Sequence, residues 1–102
     1  MSTLHTVNKS PFERSSLHSC LGHLTAGDAV LLIEDGVVGA RKGSVAVAMV
    51  QAALQNSKVY ALAPDLAARG IKAADVIDGI QLVDYAGFVD LVTQHARTAA
   101  WL

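Results

Sequence analysis

Cysteine, charge, glycine-rich loops and long apolar runs are all scarce in this chain, and each scarcity removes a class of protein. The one cysteine, Cys20, cannot close an internal disulfide. A packed core must therefore hold the fold, and a reducing cytoplasm is the expected setting. Charged residues make up only 17% of the chain, below the quarter or so of an ordinary soluble domain, while hydrophobic residues reach 52%. Such a surface is short of charge, and part of it is expected to be covered by partners. The net charge is -1, and no basic cluster exceeds the pair Arg41 and Lys42, which argues against direct nucleic-acid binding. The longest uncharged run, Gly43 to Ser57, contains Ser44, Gln51, Gln55 and Asn56. It falls short of the roughly 20 apolar residues that span a membrane. The start "MSTLHTVNK" has no apolar stretch that would serve as a signal peptide. No G-x-G-x-x-G or G-x-x-x-x-G-K motif occurs, so no dinucleotide or P-loop cofactor is expected. His5, His18, His23 and His95 show no paired ligand spacing and Cys20 has no C-x-x-C partner, so no metal is expected either.

What is present is an alternation of strand and helix patterns over 102 residues, enough for one domain, residues 1–102. Leu4 to Val7 reads as a short strand. "NKSPFE" then reads as a helix start with Ser10 as N-cap, Pro11 at the first helical position and Glu13 closing a capping box. Leu17, Cys20, Leu21 and Leu24 continue that helix until Gly27 and Asp28 break it. Ala29 to Ile33 is a continuous apolar run of the kind found in a strand covered on both faces. A short helical piece from Val37 to Arg41 precedes "SVAVAMVQAALQN", whose composition favours helix. "KVYALA" is the next strand, "DLAARG" a short helix stopped by Gly70, and "GIQLVD" the fourth strand. Asp84 caps "YAGFVDLVTQHA", where Tyr85, Phe88, Val89 and Val92 form one apolar stripe. "TAAWL" closes the chain as an edge strand or a docked tail. The pattern predicts a small α/β domain, Rossmann-like or flavodoxin-like, three-layered, with a mostly parallel sheet of about four or five strands.

In such sheets ligands sit beyond the carboxyl ends of the strands. Those ends present Asn8 and Lys9, Glu34 and Asp35, Pro64 and Asp65, and Asp84 and Tyr85, an acidic edge with Lys9 as its main cation. The free N–H groups of the expected Ser10 helix start would suit a small anion or nucleotide, which makes a stand-alone binding module the alternative function. His5, in a strand covered on both sides, reads as a hydrogen-bonded core histidine. Cys20 lies on the apolar stripe in the C-terminal half of its helix, where burial and the helix dipole both disfavour a thiolate. His23 is its nearest titratable neighbour on a helix surface, and a small thiol enzyme built on the two is a third reading.

Four stretches, "LHTVNKSPF", "LLIEDGV", "VYALAPDLAARGI" and "VDYAGFVDLV", with a final "AWL", resemble in order and spacing the DsrH/TusB family of sulfur-relay subunits. The likeness is weakest in "RKGSVAVAMVQAALQNS". It implies a subunit of a cytoplasmic complex of three related small proteins, of the DsrEFH or TusBCD type, arranged as a dimer of heterotrimers. DsrE/TusD-like and DsrF/TusC-like subunits would be its partners, with homo-oligomers when it is alone. Persulfide sulfur would pass through the complex to a DsrC/TusE-like acceptor, in sulfur oxidation or in 2-thiolation of the tRNA wobble uridine. The resemblance places the main persulfide-bearing cysteine on the DsrE/TusD-like subunit. It makes Cys20 a candidate auxiliary persulfide site of the DsrH kind, in a chain without independent catalysis.

Overall fold

Five short runs rich in branched and aromatic side chains become strands because each is covered on at least one face by a helix that follows or precedes it in the chain. The structure, a computed structural model, describes residues 2–102. The elements are β1 (Thr3–Val7), α1 (Ser16–Gly22), β2 (Ala29–Leu32), a 3-10 segment (Glu34–Ala40), α2 (Val47–Leu54), β3 (Lys58–Leu62), α3 (Ala63–Ala68), a single 3-10 turn (Ala73–Asp75), β4 (Gln81–Val83), α4 (Tyr85–Gln94) and β5 (Arg97–Trp101). The sheet order is β4-β3-β2-β1-β5, and all four pairings are parallel. "TAAWL" is thus a true edge strand, with Trp101 opposite Val7 and Ala99 opposite His5.

The chain steps from β1 to β4 in one direction and then returns across the sheet to place β5 beyond β1. Right-handed crossovers put helices of the outward steps on one face and the helix of the return on the other. The buried clusters follow this division. Val7, Leu17, Cys20, Val30, Val50, Val59 and Leu66 pack under α1, α2 and α3, while Leu4, Ala29, Leu31 and Tyr60 pack under Leu91 of α4. We call these the three-helix face and the one-helix face. The expectation of helices on both faces holds, with coverage that is far from equal.

Two expectations are corrected. No helix starts at Ser10: its carbonyl accepts from the N–H groups of Glu13 and Arg14, the Ser10 hydroxyl accepts from Phe12 N–H at 3.2 Å, and the chain makes one turn and leaves. Phe12 is 63% exposed, so nothing between Pro11 and Ser15 offers the apolar face that would hold another helical turn. The helix begins only at Ser16, just before Leu17, its first large core side chain. The second correction concerns α4. Asp84 does cap it, its Oδ1 accepting from Gly87 N–H at 2.8 Å, yet the residue buried against the sheet is Leu91, with Phe88 half-buried, while Tyr85, Val89 and Val92 are exposed.

One close approach fixes how the 3-10 segment sits on the sheet. A Cβ on Gly36 would lie 2.0 Å from the carbonyl oxygen of Val7, so the segment rests directly on the end of β1 only because this residue has no side chain. Gly36→Ala is therefore expected to lose about 3 kcal/mol or more of unfolding free energy in urea titration. A loss under about 1 kcal/mol would mean that the contact gives way easily.

Candidate functional site

The carboxyl ends of the strands are occupied by the protein's own groups. Asp65 at the start of α3 accepts the N–H of Glu34 at 2.6 Å, and Glu34 itself takes a left-handed backbone with φ of 49°. Arg69 donates to Asp35 through Nε at 3.1 Å and Nη2 at 2.8 Å. These contacts tie the ends of β2 and β3 together and leave the edge with an excess of carboxylates. Without a helix at Ser10, the anion site expected there has lost its N–H donors, and the surviving edge repels anions.

Cys20 lies at the fifth position of α1, fully buried on the three-helix face. Burial, and then the negative charge of Asp28, push its thiol up to about 12. Among the described residues nothing cationic offsets either effect. His23 falls outside the helix as its C-cap, exposed, with Nδ1 donating to the Ser19 carbonyl at 2.7 Å and its ring against Trp101 at 5.3 Å between centroids. The ring nitrogen next to the helix is committed to the backbone, so the pairing of Cys20 with His23 that a thiol enzyme would need is not assembled.

His5 is buried and hydrogen-bonded, as its place in β1 leads one to expect, but its partners come from distant sequence. Trp101 Nε1 donates to His5 Nδ1 at 3.0 Å. An indole N–H can only donate, so Nδ1 is the acceptor and the proton sits on Nε2, which donates to Asp28 Oδ2 at 2.9 Å. Asp28 also accepts from the N–H groups of Thr3 at 2.9 Å and Thr25 at 3.2 Å. Burial by itself would raise the Asp28 carboxyl, and these hydrogen bonds outweigh it and hold the group at about 2, against an ordinary 3.8. The sequence showed Asp28 only as a helix breaker and Trp101 only as part of a tail. An acidic residue immediately before a wholly apolar strand was the available signal.

Among the described residues no group of three His, Cys, Asp or Glu side chains is placed to hold a metal ion, and no helix is long and apolar enough to cross a membrane. The two larger grooves, of about 680 and 690 Å³, lie between α1 and α2 and at the amino ends of the strands. Histidines and hydroxyls line both, but among the described residues none of these hydroxyls is hydrogen-bonded to a histidine or a carboxylate.

Fold and site together define a small doubly wound parallel α/β domain with a sealed thiol and no assembled catalytic constellation among the described residues. The chain matches the family model described as DsrH like protein over residues 9–98. It is 38% identical over 100 residues to Protein TusB of Escherichia coli strain K12, covering 96% of this chain and 99% of that one. It is 39% identical over 98 residues to Protein TusB of Erwinia tasmaniensis, with the same coverage. The chain belongs to the DsrH/TusB family. Its fold is shared by the ychN protein of E. coli, with a TM-score of 0.80 at 18% identity over 98% of this chain and 99% of that one. It is shared too by MTH1491 of Methanobacterium thermoautotrophicum, with a TM-score of 0.75 at 18% identity over 94% and 96%.

Two outcomes follow for the buried groups. Native Cys20 is expected to resist an aromatic disulfide reagent at pH 8 and to react at once in denaturant; rapid native labelling would contradict its sealing. Because the Asp28 carboxyl is lowered in the folded state, its stabilisation is complete above the ordinary value and is lost as pH falls from about 4 towards about 2. Asp28→Asn should flatten that part of the acid-stability profile, followed through the fluorescence of Trp101, the one tryptophan. An unchanged slope would remove Asp28 from the account.

Proposed function

We propose that this chain is a subunit of a cytoplasmic sulfur-relay complex of the TusBCD or DsrEFH type, contributing surface and not sulfur chemistry. The observation that carries the reading is the combination of full-length kinship with Protein TusB and a sole cysteine sealed in the core. A thiol that stays protonated, without access to solvent, is a poor acceptor of sulfane sulfur. Of the two roles open to Cys20, auxiliary persulfide site or core packing, its environment supports packing. The relatives, 34% to 39% identical, carry the name TusB, and this supports 2-thiolation of the tRNA wobble uridine over sulfur oxidation. The partners would be DsrE/TusD-like and DsrF/TusC-like subunits, with a DsrC/TusE-like acceptor beyond them.

The low charge of the chain fits such a role, since a subunit of a permanent assembly buries surface that a monomer keeps polar. Phe12 after β1 is 63% exposed and Leu102 after β5 is 78% exposed. Both lie at the carboxyl ends of adjacent strands, where the Ser16 hydroxyl donates to the Leu102 carbonyl at 2.9 Å. An exposed aromatic and an exposed leucine that follow adjacent strands suit a contact with another subunit.

Co-expression with DsrE/TusD-like and DsrF/TusC-like subunits should give a stable ternary complex on size exclusion. Phe12→Asp should weaken it about tenfold or more without changing the melting temperature of the isolated chain. A chain that never co-purifies with these subunits would refute the proposal.

A further inference from the structure

The two neighbours of the His5 ring favour different protonation states. On one side the Trp101 indole N–H donates to Nδ1 at 3.0 Å, and an indole has only a donor to offer, so this bond exists only while Nδ1 carries no proton. On the other side Nε2 donates to the Asp28 carboxylate at 2.9 Å, and a protonated ring would keep that bond as an ion pair. A proton added at Nδ1 therefore sets two donors against each other across 3.0 Å while it strengthens the hold on Asp28. Alternation along β1 turns Thr3, His5 and Val7 to the three-helix face, where Arg97, Ala99 and Trp101 of β5 and Val30 of β2 stand opposite them. Among the described residues, the charged or titratable groups on that side of the ring are thus Asp28, the exposed Arg97, Cys20 of α1 and His23 at its end. The Cys20 thiol, held up at about 12, stays uncharged, and His18 turns to the groove between α1 and α2. His23 lies 5.3 Å from the Trp101 ring. A proton on it would hold the indole and not release it, because a cation is attracted to an aromatic face.

We propose that His5 is a proton-operated latch on β5: neutral, it holds the Trp101 indole; protonated at Nδ1 by solvent, it keeps Asp28 and lets the indole go. One proton is taken from water and none passes to Asp28, whose carboxyl, at about 2, stays ionised throughout. β5 is placed to respond. It has β1 as its one neighbour in the sheet, it is mostly exposed, and Trp101 is half-buried at its end, so the indole can leave without opening β2 and β3. Beyond the ladder, the end of β5 would then be held only by the Ser16 hydroxyl on the Leu102 carbonyl. The latch lies within this chain and needs no partner. Only its further consequence, that acid would unsettle the Leu102 half of the surface offered to other subunits, rests on the relay reading.

Nitrogen-resolved NMR of the isolated chain follows both rings at once, since Trp101 is the one tryptophan. As pH falls from about 8 to about 5, the range in which histidines change charge, His5 Nδ1 should gain its proton. At the same midpoint the indole N–H should move towards the position of a free indole and exchange with water about tenfold or more faster. The amides of β2 and β3 should stay protected, and His23→Gln should leave the transition in place. Trp101→Phe keeps an aromatic ring and removes the donor; it should let His5 take up its proton at a pH about half a unit or more higher, because the indole bond no longer opposes protonation. Four results would each overturn the latch: an indole N–H that does not move while His5 titrates, a His5 that stays neutral until the β2 and β3 amides exchange, a transition that vanishes in His23→Gln, or an unshifted His5 in Trp101→Phe. None of these readouts involves another subunit, so a chain that titrates in this way and never joins a ternary complex would refute the relay reading alone.

Discussion

The carboxylate of Asp28 is the group on which the sheet depends. It accepts from the start of β1 through Thr3, from the loop before β2 through Thr25, and from the His5 ring, which in turn holds Trp101 of β5. Three segments that are far apart in sequence therefore meet at one buried anion. β5 needs this most, because it arrives last, has β1 as its one neighbour in the sheet, and presents most of its residues to solvent. Beyond its ladder it is held by the Trp101 to His5 bond and by the contact of Ser16 with Leu102. Removing the carboxylate would leave the Thr3 N–H and the His5 ring N–H buried without an acceptor, a larger cost than losing one hydrogen bond.

The same anchor bears on the cysteine. Asp28 lies close enough to Cys20 to raise its thiol further after burial has already done so. The side of the sheet that is most thickly covered is thus also the side where sulfur chemistry is least favoured. The opposite side has one helix for five strands, and there the chain leaves apolar side chains exposed. The protein thus seals its only thiol and exposes a flank of α4. Membership of the DsrH/TusB family is consistent with that arrangement.

Much of the fold was legible because local and global signals agree. β2 is an uninterrupted apolar run and is buried throughout, and Asp84 caps α4 where the sequence places a cap. Ser10 misled because a capping box describes only the first turn, and a helix persists only where an apolar face follows at once. The stripe on α4 was legible as apolar, and only Phe88 of its four residues is part-buried. Periodicity marks an apolar side, but Leu91 shows that the side facing the sheet is chosen by packing. The chain of bonds from Trp101 to Asp28 spans almost the full sequence, and no local pattern reports contacts over such separations. Cys20 was legible as a residue on a buried stripe.

The central claim is that this subunit serves sulfur relay through its surfaces and not through Cys20. Its most direct test is intact-mass spectrometry of each chain of the ternary complex after incubation with a persulfide donor. The account predicts a gain of one sulfur mass on the DsrE/TusD-like partner and none on this chain. A sulfur adduct on this chain that disappears in Cys20→Ala would contradict it and make the buried thiol a carrier.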